Sequence, residues 1–419
     1  MIWWRLAIRS LVFRWQASLL TVVSMALSVA LYCSVESLRL GVHETFEQTV
    51  SQTDLIVGAR SSPLNIILYT LFHMGDATNN LRYETFKKIS SHPVVRWSIP
   101  FSLGDSHRGF RVMATNESFY EFFQFRGNWH IEFNSGTLAK DVFDVVLGSE
   151  VAARLNYKLN DRVVIAHGMS SEKGAFSEHS DKPFHVVGIL KRTGTPVDRA
   201  LFITLEGMEA IHINWKDGSA DESSTPKAIT KDQIKVTQIT SFLLGLKSRV
   251  AVLHMQRMIQ NYADESLEAA IPGFVLSRFW ESLGAFERTL SLMTLAIFIV
   301  GLIGMLIALL TSLDQRRREM AVLRALGSRA FQIFILLLSE AYFLMASSIV
   351  AGLGLYSLLF FLFRDFVESK YGVVLVLWPF DSENLYILLG LFVAGTIAAL
   401  IPAAVAYLRS VSDGLQQRT

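Results

Sequence analysis

Four long uncharged runs divide the chain. Trp15 to Val35 is the first and Thr289 to Leu313 the second. Ala330 to Phe363 is the third, interrupted only by Glu340, and Asn384 to Leu408 is the fourth. A bilayer core takes about 20 apolar residues to cross as a helix, so each run predicts a membrane span. The first does not read as a signal peptide: its apolar part exceeds the ~7–15 residues of such a segment, and no small-residue cleavage site follows. Past it, Leu38, Val42, Phe46 and Val50 recur at every fourth position, which predicts a helix leaving the membrane without a break, Glu36 to Thr53.

Arginines fix the orientation. Arg5, Arg9 and Arg14 precede span one, Arg316, Arg317, Arg318, Arg324 and Arg329 separate spans two and three, and Arg409 follows span four. The positive-inside rule places residues 1–14, 314–329 and 409–419 in the cytoplasm. Residues 36–288 and the short loop 364–383 then lie outside.

Within 36–288 the pattern changes to short runs rich in β-branched and aromatic residues. Val94 to Ser102, Phe110 to Ala114, Val142 to Leu147, Arg162 to His167, Phe184 to Leu190 and Ala200 to Thr204 predict strands. Tyr83 to Ser90, Ser118 to Phe123, Gly148 to Leu155 and Leu205 to Ile211 predict short helices between them. Met255 to Phe286 reads as a helix leading into span two, interrupted near Pro272 and Gly273. The fold class is therefore an integral membrane α-helical protein of four spans, with a large α+β outside domain between spans one and two, in two subdomains, carried on stalk helices. Ser170 to Pro183 and Lys216 to Lys235 are polar insertions. Ile56 to Asn80 is apolar although outside the membrane; it reads as a buried core helix or as an element lining a path at the membrane surface.

Composition agrees: the 419 residues are 51% hydrophobic and 18% charged. The net charge of +2 argues for no nucleic-acid partner. The single cysteine, Cys33, lies in span one, so the outside domain has no disulfide and must rely on its core.

Little of the chain reads as catalytic. There is no GxxxxGK[ST] loop, GxSxG, HExxH or CxxC pattern, so no catalytic residue is assigned and no ATP site is expected on these residues. All ten histidines fall in the outside domain. His167, His179 and His185 crowd together with Glu172, Glu178 and Asp181, and histidine with carboxylate suits zinc. The spacing matches no fixed metal motif, so a solvated loop beside a hairpin reads equally well. Glu340 is the one acid deep in a span. Burying it in lipid is costly, which makes it a functional candidate; a structural pairing with an arginine of the preceding loop is the other reading.

Asp314 to Gly327, DQRRREMAVLRALG, has helical periodicity that an ordinary loop does not need. Met320, Leu323 and Leu326 fall at three-residue steps, with Arg317, Arg318 and Arg324 on other faces and Gly327 as a stop. Such a helix lies in the membrane interface among lipid headgroups or plugs into a soluble partner. The stretch DQRRREMAVLRALGSRAFQIFILLLSEAYFLMASSIVAGLGLYSLL resembles the signature of the FtsX-like permease family of ATP-binding cassette transporters. Glu319, Leu323, Arg324, Ala325, Leu326, Gly327 and Glu340 occupy the matching positions. LAIRSLVFRWQASLLTVVSMALSVAL resembles that family's first span, and FHVVGILKRTGTPVDRALFITLE the outside domain of its macrolide-exporter-like branch, the type VII transporters. IPAAVAYLRSVSDGLQ resembles the last span, although Ala404 and Tyr407 stand where residues are often basic. The resemblance does not reach Ile56 to Asn80 or Lys216 to Lys235.

The resemblance implies a bacterial inner-membrane permease subunit with its large domain in the periplasm. Family members work as dimers, so a second copy or a paralogue is an expected partner. A separate ABC ATPase, carrying the ATP and Mg, would bind through Arg317, Arg318, Glu319, Leu323, Arg324, Leu326 and Gly327, while this chain binds no cofactor and is not an enzyme. ATP-driven closure would pass through the stalk to the outside domain as mechanotransmission, for export or extraction of a periplasmic or membrane-associated substrate. A periplasmic adaptor or substrate-binding protein would fit the same plan. The alternatives are a regulatory membrane protein controlling a periplasmic partner, and a component of zinc handling.

Overall fold

The computed structural model describes residues 9, 11–49, 52–167, 182–213, 215, 216, 219, 220, 234–315, 322, 325–371, 375–378 and 382–415. The chain divides into two compact units, Met1–Val42 with Gly284–Thr419, and His43–Leu283.

The first unit is helical. Its sequence falls on the helices Trp15–Thr49, Pro272–Gln315, Ala330–Tyr371 and Ser382–Leu415. At ~1.5 Å per residue each is about 50–65 Å long, well beyond a ~30 Å hydrocarbon core. Among the described residues, three segments are long and apolar enough to cross a membrane: Ser18–Glu44, Pro272–Thr311 and Ala330–Val367. The predicted fourth span lies in Ser382–Leu415, whose apolar part among the described residues is the shorter Phe392–Val405.

Met25, Met305, Leu309, Leu344, Met345 and Ala399, from all four helices, are buried in one cluster. Gly352 sets a close approach: a Cβ there would lie 2.7 Å from Cβ of Val29 and 2.9 Å from the Ala26 carbonyl. The first and third helices can meet this closely only because residue 352 has no side chain. Glu36 forms an ion pair with Arg39 at 2.6 Å, one turn along the same helix.

The second unit is a helix-covered sheet. In chain order its strands are β1 (Leu55–Ala59), β2 (Leu81–Arg82), β3 (Val95–His107), β4 (Phe110–Thr115), β5 (Gln124–Phe125), β6 (Trp129–His130), β7 (Phe133–Gly136), β8 (Asp144–Leu147), β9 (Arg162–Val163), β10 (Ala166–His167), β11 (Phe184–Leu190), β12 (Ala200–Thr204), β13 (Trp215–Lys216), β14 (Ser219–Ala220), β15 (Gln238–Ile239), β16 (Ser241–Leu246) and β17 (Leu267–Ala270). Eleven of them form one mixed sheet in the order β17-β1-β16-β3-β4-β12-β8-β11-β7, with β10 on β3 and β9 on β11. β4 and β12 run parallel, as do β8 and β11.

The expected two subdomains are instead one sheet with a core on each face. Strand alternation sorts the side chains. Leu55 and Val57 of β1, Val145 and Leu147 of β8, Leu201 and Ile203 of β12, and Phe242 and Leu244 of β16 enter one core. Their neighbours Ile56, Val146, Phe202 and Leu243 enter the other. Helices Tyr83–Ser90, Ser149–Leu155, Leu205–His212 and Ala251–Gln260 cover the first face through Phe86, Val151, Ile211 and Ile259. Pro63–Leu71 and Glu117–Phe122 cover the second through Ile66, Ile67 and Phe119. β3, at 13 residues, bridges the two halves: Val95 to Phe101 pair with β16, and Ser102 to His107 with β4.

Three expectations need correction. Ile56 to Asn80 is not one helix but the strand β1, the helix Pro63–Leu71 and a loop. Gly58 and Pro63 break the run, and β-branched Ile56 and Val57 suit a strand buried on both faces. Met255 to Phe286 is likewise interrupted, by β17, whose Leu267, Ala269 and Ala270 are buried. Arg162 to His167 divides into β9 and β10, which pair with different strands. Most of the polar insertions 170–183 and 216–235 lies outside the described residues.

Candidate functional site

The predicted coupling segment follows the helix Pro272–Gln315. Arg317, Arg318, Glu319, Leu323 and Arg324 lie outside the described residues. Leu326 and Gly327 are described. The Leu326 N–H bonds the Val322 carbonyl at 3.0 Å, and Gly327 takes φ +92°, a left-handed turn that stops a helix and that glycine adopts without strain. Arg329 then caps the next helix: its N–H donates to Gln332 Oε1 at 2.8 Å, the reach-back of a capping box. Val322, Leu326 and Phe331 are exposed.

Glu340, in the helix Ala330–Tyr371, is 1% exposed. Ser339 and Ala341 beside it are buried as well, and Glu340 has an interaction partner. Of the three histidines proposed for zinc, two lie among the described residues. His179 lies outside them, His167 sits on β10 opposite Asp105, and His185 sits exposed on β11 opposite Asp144 and Arg162. Among the described residues no group of three metal-ligating side chains occurs.

A site that the sequence reading missed lies in the second unit. Arg111 is the second residue of β4, on the face of Met113, with Ala200 of β12 as its neighbour in the sheet. It is 9% exposed. Its Nη2 donates to the Gly75 carbonyl and to Asp76 Oδ1, the latter at 2.8 Å. Its Nε is buried with no hydrogen-bond partner among the described residues. A buried guanidinium lacking one partner is unusual, because an unmade bond there costs about 1–3 kcal/mol.

The partner loop is built by the helix Pro63–Leu71. His73 ends that helix at φ +55°, and the Met74 N–H bonds back to the Leu68 carbonyl at 3.0 Å. Gly75, at φ +74°, turns the chain so that Asp76 faces Arg111. At the loop's far end Asn80 Oδ1 accepts from Thr240 Oγ1 at 3.0 Å. Between these pins lies a cleft of about 690 Å³, lined by Asp76, Thr78, Asn79, Asn80, Arg111 and Gln238 among others. Its floor is open at Gly104, where an added Cβ would meet nothing within 4 Å, beside a register shift between β3 and β4.

Burial, and then the Arg111 charge, lower the pKa of His73 to about 4, so it is neutral near pH 7. Burial raises the pKa of Asp198, while N–H bonds from Thr193 and Gly194 act against the rise. Asp198 thereby organises the turn before β12. The chemistry at the cleft is recognition: one fixed cation, one exposed carboxylate, amides and a hydroxyl.

Comparisons with known proteins cover both units. A family model described as the MacB-like periplasmic core domain matches residues 18–240. A second, described as the FtsX-like permease C-terminal domain, matches residues 291–413. Among solved structures, the chain is similar to the periplasmic region of MacB from Actinobacillus actinomycetemcomitans at 10% identity, over 56% of this chain and 97% of that one, with a TM-score of 0.33. It is also similar to the extracellular domain of the noncanonic ABC-type transporter YknZ from Gram-positive bacteria at 9% identity, over 52% and 98%, with a TM-score of 0.31. No curated protein matches.

Proposed function

Because this chain belongs to the FtsX-like, MacB-like family of type VII ABC transporter permeases, we propose that it converts ATP hydrolysis by a partner ABC ATPase into movement of its sheet domain. The domain then acts on a substrate that is already outside the inner membrane, for export or extraction. The observation that carries the reading is the order of the two matched domains on one chain: the core domain at 18–240, then the permease domain at 291–413, which contains the basic stretch 314–329.

Two features support this reading. Helix Pro272–Gln315 runs unbroken from the end of the sheet domain to the edge of the basic stretch, and an unbroken helix transmits displacement along its axis. Beyond it, Val322, Leu326 and Phe331 present exposed apolar side chains. On this reading they bury against the ATPase, with Arg317, Arg318 and Arg324 pairing its acidic groups and Glu319 a basic one. The domain then lies in the periplasm and the basic stretch in the cytoplasm, a second copy or a paralogue completes the dimer, and ATP and Mg remain on the ATPase.

The test is co-purification of the full-length protein with its ABC ATPase from membranes. Arg324→Glu and Glu319→Lys should each abolish co-purification while the protein still inserts. Retention of the ATPase and of its stimulation by both variants sinks the assignment.

A further inference from the structure

We propose that the cleft between residues 75–80 and β4 binds a carboxylate- or phosphate-bearing ligand, which takes the Arg111 guanidinium by displacing Asp76. This concerns binding to the sheet domain and stands apart from how ATP drives the protein.

The case begins with a mismatch between the two ion-pair partners. The Arg111 side chain is 10% exposed, whereas that of Asp76 is 82% exposed. An exposed carboxylate holds a cation weakly, because water competes for it. The cation cannot withdraw, since β4 is an interior strand between β3 and β12. Asp76 is therefore the exchangeable member of the pair.

The guanidinium is also under-used. Asp76 Oδ1 and the Gly75 carbonyl both bond Nη2, and Nε has no partner among the described residues. Nε and one Nη of arginine form a planar two-pronged donor that matches the two oxygens of a carboxylate or phosphate. Asp76 engages one prong through a single oxygen. A ligand anion that spans both would satisfy the orphaned N–H and gain the stronger, charge-assisted pair.

The rest of the cleft suits the remainder of such a ligand. Thr78, Asn79, Asn80 and Gln238 supply neutral donors and acceptors, and Asp76 is the acid among the lining residues. Once Asp76 swings out, the lining carries a net positive charge. About 690 Å³ accommodates a ligand of some tens of atoms, in the range of small-molecule sites. Open space above Gly104 leaves the floor free. Peptide C-termini and phosphorylated headgroups or free phosphate share the required chemistry.

The test uses the full chain in detergent and isothermal titration calorimetry with three probes: acetyl-dialanine, its C-terminal amide, and inorganic phosphate. At least one anionic probe should bind, and the amide should bind at least 10-fold more weakly than the acid. Asp76→Asn, at an exposed position, should tighten the anion several-fold by removing its competitor. Arg111→Gln should abolish binding. Tighter binding of acetyl-dialanine than of phosphate identifies a carboxylate ligand, and the reverse a phosphate. Failure of both anions to bind Asp76→Asn at millimolar concentration overturns the proposal. So does anion binding that Asp76→Asn and Arg111→Gln leave unchanged.

Discussion

Ser37 and Tyr356, far apart in the chain, donate hydrogen bonds to the same acceptor, the backbone carbonyl of Val376, at 2.8 and 2.7 Å. One donor comes from the helix Trp15–Thr49 and the other from Ala330–Tyr371, so the carbonyl ties the first and third helices to the segment between the third and fourth. Either hydroxyl alone satisfies it. Ser37→Ala or Tyr356→Phe should therefore cost about 0.5–1.5 kcal/mol, whereas the double variant leaves a half-buried acceptor with neither donor. Thermal unfolding of the four proteins in detergent should show a loss in the double variant larger than the sum of the singles. A strictly additive cycle would mean that water already serves this carbonyl.

The His73 imidazole gives the sheet domain an acid-sensitive element. Its folded pKa of about 4 lies below the ordinary 6.5. Above pH 6.5 both folded and unfolded forms are neutral there and the full stability is present. As pH falls from 6.5 towards 4 the unfolded chain takes up a proton that the folded one excludes, and stability declines. The span corresponds to roughly 3 kcal/mol at about 1.4 kcal/mol per unit. His73→Asn tolerates the left-handed backbone at φ +55° and removes this titration. The melting temperature of the variant relative to wild type should therefore rise as pH is lowered through this window. Parallel pH profiles would show that His73 is solvated.

Lys182 lies two residues before β11. Its Nζ donates to the carbonyls of Ala210, Ile211 and Ile213, at 3.0, 3.1 and 2.6 Å. These close the C-terminal end of the helix Leu205–His212, where a cation meets the negative end of the helix dipole. Lys182→Met keeps the aliphatic stem and removes the donor. It should lower stability by about 1–2 kcal/mol, with hydrogen exchange accelerating at residues 208–212 before the rest of the sheet. Unchanged exchange there would leave the ammonium no capping role.

Gly352 offers a packing test in the helical unit. A Cβ at this position meets Val29 Cβ at 2.7 Å and the Ala26 carbonyl at 2.9 Å. Gly352→Val must push the helices apart, at about 1–3 kcal/mol, and should lower the melting temperature more than Gly354→Val, where an added Cβ meets nothing within 4 Å. Equal effects would place the loss in helix propensity instead.

What could be read from the sequence follows from periodicity. β11 and the helix Tyr83–Ser90 fall on their predicted residues, because alternation or an i, i+3 pattern marks a boundary between buried and exposed faces. β16 went unread for the opposite reason. Its six residues, SFLLGL, are all buried, so no alternation shows. Gly327 was legible as a stop because a left-handed residue favours glycine. Arg111 was not, since a lone arginine in FRVMAT reads as a solvated side chain. Its importance comes from Asp76 and Gly75, 35 and 36 residues earlier, and only the folded sheet brings them together.

The ladder order has a mechanical consequence. β17 ends at Ala270, just before the helix Pro272–Gln315 begins, and strand pairing leads from β17 through β1, β16 and β3 to β4, with register shifts between Gly245 and Leu246 and between Leu103 and Ser106. β3 is the splice between the halves: its residues 95–101 pair with β16 and 102–107 with β4, so Arg111, opposite Ser106, lies further along β3 than the stretch that β16 joins. Backbone ladders shear far less readily than packed side chains slide. A tilt imposed at the root would therefore be passed to the strand of Arg111 through backbone pairing, while the loop holding Asp76 would follow only through the contacts at its two ends.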